Sequence, residues 1–513
     1  MIHEFYANEE VFVTGGSGAV GKALIEKLLR SCDVAKIFVL LRTKKNISIE
    51  HRLEKMKRAK IFKVLRASKP HMLDRLVPIP GDAALPNLGI SSEHIILMQN
   101  VSIVFHCAAT VRFDEPLRVA LQLNVGGTYE ALLFAEKLKN LKIFLHVSTF
   151  YSNPYLKYVE PKIYDSPIDW RILQEMLKDD NQQDTLNILT RKLIVGFPNT
   201  YTFTKNLAES VVKDFQGRLP IAIYRPSIVL QALSDPIPGF PPTMMGALGL
   251  FVLVGAGILK TVFMSKALRF DITPQDICIK TMLYYAYRAG REYSAKSAIS
   301  NVPVYMPSSS KLSHHTFYQM CQIMENDLWY KGAFEKNFML PGAHYTENRF
   351  VYKFLVFTKQ IFPAMLADGL LVLFGRKPIL MGIVRKAYNT LEVMQPFLFN
   401  SYDSPGITYF HECLEVTKGT ELDLNSDVYR AKTDEGLVDI CTTMIFSIRQ
   451  YLLNEDPKTI PLAQKRLRIK RWMYNILRAI LAYFILRWCY GYLVNVMASM
   501  TSNKKQMPAL QTL

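Results

Sequence analysis

Cysteine is scarce and dispersed in this chain: seven residues in 513, at positions 32, 107, 278, 321, 413, 441 and 489, and never as C-x-x-C. That pattern offers neither a zinc site nor a disulfide framework, so no metal is expected and a reducing compartment fits best. Charge is also thin. Charged residues make up 21% against 50% hydrophobic, which excludes a disordered chain and leaves material for a large core. The first fourteen residues carry Glu4, Glu9 and Glu10 and lead straight into an apolar run, with no room for a secretory or transit segment. A cytosolic start to the fold is therefore expected. A net charge of +18 suits nucleic acid, but no nucleic-acid motif accompanies it, and no such partner is expected. Acidic residues are missing altogether from Pro461 onward, a stretch that holds nine Lys and Arg, five of them clustered at Lys465, Arg466, Arg468, Lys470 and Arg471. Basic residues beside an aromatic-rich apolar run point to a membrane surface.

What is present is organised around residues 11–21, Val-Phe-Val-Thr-Gly-Gly-Ser-Gly-Ala-Val-Gly. An apolar strand ending in Thr14 meets glycines at 15, 18 and 21. The spacing predicts a strand-to-helix turn in which Gly15 makes the tight turn, Gly18 admits a pyrophosphate and Gly21 lets the helix pack closely. A second β-rich run, residues 36–41, ends at Arg42, with Lys44 and Lys45 close behind. Arg or Lys at this strand end suits the 2′-phosphate of NADPH, whereas an acidic residue suits NADH. A third strand, residues 76–82, carries Asp82 at its tip, placed to accept from an adenine amino group; an ordinary turn aspartate is the alternative. The fourth, residues 101–109, ends in Ala108 and Ala109, small enough for a cofactor to lie against the backbone. A fifth, residues 141–147, delivers Ser148 and Thr149. Strands alternating with helices four times in 150 residues predict an α/β doubly wound parallel sheet.

Tyr201 and Lys205 supply the chemistry. Four residues apart, they share a helix face, so the ammonium can sit near the phenol and favour its ionised form. A free phenol titrates near pH 10, and such a lever helps it act as a general acid. Ser148 and Thr149, about fifty residues earlier, offer the hydroxyl that orients a carbonyl. Arg225, after another short strand at 221–224, heads a loop expected to pass the nicotinamide.

At these residues the sequence resembles the extended short-chain dehydrogenase/reductases, and among them the alcohol-forming fatty acyl-CoA reductases of the male-sterility type. The resemblance rests on Val13-Thr-Gly-Gly-Ser-Gly18, Val39-Leu-Leu-Arg42, Ile79-Pro-Gly-Asp82, His146-Val-Ser-Thr149, Tyr201-Thr-Phe-Thr-Lys205, Tyr224-Arg-Pro-Ser-Ile228 and above all Ala109-Thr-Val-Arg-Phe-Asp114. It implies Tyr201 as proton donor, Lys205 as its activator and ribose ligand, and Thr149, with Ser148 as the adjacent alternative, as the carbonyl-orienting hydroxyl. Thr14, Gly15, Gly18, Gly21, Arg42, Asp82, Ala108, Ala109, Tyr201, Lys205 and Arg225 are then the cofactor-binding set. The implied reaction reduces a long-chain acyl-CoA thioester with NADPH, releases coenzyme A, and reduces the aldehyde to a fatty alcohol, with no cysteine nucleophile. The chain departs from the family's pattern at Ala19 and Val20, around residues 271–276, and at Ser313-His-His-Thr316. Two alternatives keep parts of the same machinery: a membrane-bound dehydrogenase of a steroid or lipid alcohol, and a non-catalytic lipid-binding scaffold.

The expected organisation is a reductase domain at 1–290, a substrate-side connection at 291–349, a mostly helical C-terminal domain at 350–455, a basic linker at 456–471, a membrane anchor at 472–500 and a tail at 501–513. Residues 244–259 form an uncharged run of sixteen, too short to span a bilayer, and read either as a wall of the acyl tunnel, even facing lipid, or as buried core. Residues 479–500 can span, although Arg487 lies within them and nearly offsets the apolar gain, so a single span and a shallow hairpin both stand. The basic cluster would hold the preceding domains on the cytosolic side, in contact with membrane lipid, and the family resemblance implies an endomembrane, endoplasmic reticulum or peroxisome.

Overall fold

A central sheet of seven parallel strands carries the first half of the chain. In chain order its strands are β1 (Glu10–Thr14), β2 (Lys36–Leu41), β3 (Leu76–Pro80), β4 (Val101–His106), β5 (Ile143–Val147), β6 (Ile221–Tyr224) and, after three short strands outside the sheet, β10 (Val304–Tyr305). The three are β7 (Ile228–Leu230), β8 (Thr261–Phe263) and β9 (Ile272–Pro274); β11 (His344–Thr346) pairs with β8, and β7 with β9. The computed structural model describes residues 2–43, 47–179, 183–269, 271–295, 301–308, 314–424, 429–430 and 432–505. Lys44, Lys45, Ser313 and most of the tail therefore lie outside the described residues.

The strand order is β10-β6-β5-β4-β1-β2-β3, so the chain reverses direction across the sheet between β1 and β4. The crevice at the carboxyl ends of those two strands is where such sheets bind ligands. Every residue of β4, β5 and β6 is buried, as their predominantly apolar runs, broken only by Ser102, His106 and His146, require of strands covered on both faces. One core lies on each side. On one, the helix Ala19–Ser31 packs Leu24, Ile25, Leu28 and Leu29 against Val11, Val13 and Val39, closed by the long helix Gln275–Ala295. On the other, Phe12, Val104 and Phe144 meet Phe134, Phe203, Leu207 and Val211. Burying each such side chain is worth about 1.5–3 kcal/mol against leaving it exposed.

The boundary expected at residue 290 cuts through this sheet, since β10 lies beyond it. The helical half is likewise not a separate lobe. A third core joins Leu230, Phe251, Val254 and Met264 to Met320, Leu391, Leu398, Met444 and Ile445. The helix Gly246–Gly255 sits inside that core, with Leu248, Phe251 and Val254 buried, which corrects the lipid-facing reading for the helix and leaves only Met244 and Met245 of the 244–259 run exposed among its large apolar residues. Its apolar side chains are buried except Leu253, which is partly buried against the same core.

Among the described residues, two helices are long and apolar enough to cross a membrane by length and composition, Arg349–Leu373 and Pro457–Ala498. The terminal helix Ile460–Lys505 runs unbroken for 46 residues, so the shallow-hairpin alternative is not adopted. Its base is held by Ala463 and Leu467, buried against Ala333, and by Lys470, which donates to Asn337 O. Beyond that base, the residues from Trp472 to Val494 are exposed.

Candidate active site

The glycine turn closes against the end of β4. Gly15 takes φ +70°, and Gly18 N donates to Gly15 O at 2.9 Å. A Cβ at Gly15 would stand 2.7 Å from Ala108 N and from Cys107 O, and one at Gly21 would stand 2.4 Å from Gly15 O. Real Cβ atoms do not approach so closely, so only glycine fits either position. Gly18 begins the helix Ala19–Ser31 in extended conformation, with no side chain capping the first-turn N–H groups. Those groups and the helix dipole are a ready receptor for phosphate. Gly16, not singled out by the spacing, is equally constrained, because a Cβ there would meet Val39 at 2.5 Å. Thr14 staples the two strand ends: Ala108 N donates to its Oγ1 at 3.2 Å, and Oγ1 lies 2.9 Å from His106 Nδ1.

Arg42 stands exposed at the end of β2, with its nearest carboxylate, Asp82, 4.0 Å away. Asp82 Oδ1 accepts from Ala84 N at 3.1 Å, as an Asx turn does, and leaves Oδ2 facing Arg42. The two residues picked out for the adenosine end of a dinucleotide are thus neighbours across the β2 and β3 ends.

Tyr201 and Lys205 lie on the helix Thr200–Lys213, which Asn199 caps by accepting from Thr202 N at 2.9 Å. Burial pushes the Tyr201 phenol up to about 12, and a hydrogen bond with Thr149 pulls in the other direction. Lys205 Nζ donates to Val147 O at 2.6 Å. Burial depresses its ammonium to about 8, opposed by the charge of Glu209 one turn along. The sequence leads one to expect an ammonium against the phenol; here a buried ammonium satisfies itself on the strand-end carbonyl, and Tyr201 keeps its proton. Cys107 lies close enough to feel that ammonium, yet burial raises its thiol to about 12. It is a thiol at neutral pH and no nucleophile.

Ser148 and Thr149 diverge. Ser148 Oγ donates to Glu209 Oε1 at 2.5 Å, whereas Thr149 turns to Tyr201. Of the two hydroxyls only Thr149 is beside the phenol. Arg225 also differs from expectation: its guanidinium is fully buried, with Nε and Nη2 on the Glu209 carboxylate at 2.9 and 2.6 Å, Nη1 on Glu160 O at 3.2 Å and Nη2 on Lys162 O at 2.8 Å. With its donors spent on a buried pair, the side chain braces the β5 and β6 ends and offers nothing to a cofactor; removing one partner of such a pair costs about 3–5 kcal/mol. Glu209 was readable as a partner of Lys205 from its i,i+4 spacing, but its pairing with Arg225 depends on the fold.

The 109–114 phrase packs directly over this helix. Thr110 N donates to Asn124 Oδ1 at 2.8 Å, Asn124 Nδ2 donates to Thr204 Oγ1 at 2.9 Å, and Thr200 Oγ1 donates to Glu115 O at 2.8 Å. Phe113 is thereby set 5.8 Å from the Tyr201 ring, and Phe397, from the helix Leu380–Phe399, lies 5.4 Å from Phe113 and 5.3 Å from Tyr151. An apolar aromatic wall beside a protonated phenol suits a carbonyl at the end of an aliphatic chain. Nothing in the local sequence marks Phe397, which reaches the site from almost two hundred residues away.

Sheet, glycine turn and the Thr149-Tyr201-Lys205 group together define a nicotinamide-nucleotide reductase of the extended short-chain dehydrogenase/reductase class. The comparisons narrow this. The family model described as male sterility protein matches residues 13–282. Fatty acyl-CoA reductase 1 of Xenopus laevis is 32% identical over 98% of this chain and 99% of its own length. Fatty acyl-CoA reductase wat of Drosophila melanogaster is 32% identical over 92% and 90%, and the human fatty acyl-CoA reductase 1 is 31% identical over 98% and 99%. Among solved structures, the terminal R domain of the myxalamid PKS-NRPS pathway superposes with a TM-score of 0.55 at 19% identity, covering 86% of this chain and 91% of that one. A reductase domain of a Mycobacterium tuberculosis non-ribosomal peptide synthetase gives 0.51 at 18%, covering 87% and 92%. These two likenesses establish the fold. The chain belongs to the fatty acyl-CoA reductase family.

Proposed function

We infer that the protein reduces long-chain fatty acyl-CoA to fatty alcohol with NADPH, releasing coenzyme A, on the cytosolic face of an endomembrane. The observation that carries the reaction is the Tyr201 phenol, kept protonated by burial, bonded to Thr149 and walled by Phe113. The residues present fit a dinucleotide: a cradle that only glycine can form, an uncapped helix N-terminus, and a buried ammonium at the sheet's carboxyl end. A bound reduced nicotinamide supplies hydride, one for the thioester and one for the aldehyde. Thr149 and Tyr201 then hold the substrate carbonyl between two hydroxyls, and Tyr201 gives its proton to the oxygen as negative charge develops there. Return of the hemithioacetal hydroxyl proton to the Tyr201 phenolate expels the coenzyme A thiolate and regenerates a carbonyl, which the same pair, with Tyr201 protonated again, can hold for the second reduction. Lys205 fixes the Val147 carbonyl end and presents positive charge at the floor of the site.

NADPH is favoured over NADH by Arg42, an exposed guanidinium at the end of β2 where a 2′-phosphate would lie. Replacing Arg42 by Ala is expected to raise KM for NADPH by about tenfold to a hundredfold, the value of a charge-assisted hydrogen bond, and to leave KM for NADH nearly unchanged. An unaltered ratio of the two would overturn the assignment. Residues 472–500 are read as a single-span anchor, since Tyr483, Trp488, Tyr490 and Leu493 are all exposed along one uninterrupted helix.

A further inference from the structure

We propose that the helical hairpin formed by Arg349–Leu373 and Leu380–Phe399 is a second membrane-docking element, which seats the reductase on the surface of an anionic bilayer. The ridge it presents is strongly apolar and uncovered: Phe350 is 87% exposed, and Leu373 and Phe374 are each 80% exposed. Leu366, Leu370 and Ile379 continue it. Apolar surface of this extent, contiguous along one hairpin, marks a contact with something other than water. The tip is fixed in shape. Asp368 reaches from the first helix to the start of the second, where its carboxylate accepts the N–H groups of Ile379, Leu380 and Met381 at 3.0, 2.9 and 2.9 Å. Gly375, at φ +68°, makes the turn between them.

Charge identifies the occupant. Between residues 349 and 399 there are seven Lys and Arg against two carboxylates, Asp368 and Glu392, the latter exposed well down the second helix from the tip. Asp368 is buried, while Lys353, Lys359, Arg376, Lys377, Arg385 and Lys386 are exposed around the ridge. A second copy of this chain meeting the ridge would bring like charges together, whereas anionic headgroups around inserted apolar side chains satisfy both features at once. The hairpin is also tied to the base of the terminal helix. Leu340 packs with Leu467 there and accepts Lys260 Nζ through its carbonyl at 2.9 Å, and Lys260 N donates to Gln360 Oε1 of the first hairpin helix at 2.7 Å. The second hairpin helix then runs from the ridge at Ile383 to Phe397 beside Phe113, fourteen residues or about 21 Å. A reductase seated this way holds Tyr201 one helix length from the leaflet.

The inference extends the anchor reading, and native Cys489, exposed on the terminal helix, separates the two. The full-length protein is reconstituted into vesicles of phosphatidylcholine with and without phosphatidylserine, carrying an environment-sensitive fluorophore at Cys489, or at Leu366→Cys or Leu373→Cys in a Cys489→Ser background, whose own labelling is subtracted. Exposed Ile188→Cys, on the opposite half of the chain, reports water. Expected is a several-fold quenching by shallow doxyl-labelled lipid at 366 and 373 but not at 188, stronger with phosphatidylserine and diminished by Arg376→Glu with Lys377→Glu while the signal at Cys489 persists. Quenching at Cys489 with water-like signals at 366 and 373 would overturn the proposal and keep the anchor. Concentration-dependent energy transfer between labels at 373 without lipid quenching would instead assign the ridge to a second copy.

Discussion

Two adjacent hydroxyls are given different work by one carboxylate. Because Glu209 accepts the Ser148 hydroxyl's hydrogen bond and pairs with the Arg225 guanidinium, Thr149 alone is left to Tyr201. Thr149→Ala is expected to lower kcat by about 10²-fold or more, with a stability loss of about 1 kcal/mol because Thr149 Oγ1 also caps Tyr151 N at 3.3 Å. Ser148→Ala is expected to lower Tm, at a cost of about 1.5–3 kcal/mol for a hydrogen bond to a charged group, and to spare most of kcat. Parallel kinetics and melting curves on the two variants separate these outcomes. Lys205 sets the pH dependence. Its ammonium titrates at about 8 in the folded protein against its ordinary 10.5, so between those values the unfolded chain binds more protons and stability rises with pH. Activity should move the other way: kcat/KM falls as pH rises through about 8 and the positive charge leaves the site, while Tm does not fall with it. A flat profile from pH 7 to 9.5 would count against the role given to Lys205. At this scale the sequence showed residue types and spacing well, because a Tyr and Lys four apart share a face in any helix. It could not show that Arg225 is consumed by Glu209, or that Lys205 bonds to Val147, because both depend on which strand ends the fold brings together.

The elements of the first half were the most legible. Each of β1 to β6 lies within or across a run of β-branched and aliphatic residues bounded by glycine, proline or charge, and a parallel strand buried on both faces has to be such a run. The glycine turn was also readable in its three spacings, though Gly16 was not, since its neighbour Val39 comes from another strand. Gly21→Ala is expected to weaken nucleotide binding by at least about tenfold and to lower Tm, because the added Cβ would meet Gly15 O at 2.4 Å and force the helix from the turn. Binding measured by intrinsic fluorescence quenching on NADPH titration reads this directly. Helices of the second half were foreseen only as helices. An apolar stretch such as Gly246–Gly255 carries no sign of whether protein or lipid will cover it, and the third core that covers it is assembled from segments some two hundred residues apart. Likewise Asp368 stands out in the sequence only as an acid among basic and apolar residues, and its service as a cap for the facing helix needed the hairpin.

Across the whole molecule the division between a catalytic half and a helical half is one of sequence, not of packing. Leu230 to Leu268 share a core with helices as distant as Ile445, and Phe397 closes the aromatic wall over Tyr201. Phe397→Ala is therefore expected to raise KM for acyl-CoA or lower kcat by about tenfold, the worth of a buried aromatic contact, while NADPH affinity stays as it is. A loss of NADPH affinity instead would place Phe397 outside the acyl side of the site. The central claim is the two-step reduction itself, and one measurement reaches it most directly. Purified full-length protein in detergent is given NADPH and long-chain acyl-CoA, with fatty alcohol, free coenzyme A and NADPH followed together in wild type and Tyr201→Phe. The account predicts one coenzyme A and one alcohol for every two NADPH consumed, and a loss of about 10²- to 10⁴-fold in the variant with nucleotide binding retained. NADPH bound without alcohol or coenzyme A appearing, or a Tyr201→Phe enzyme as active as wild type, would contradict it.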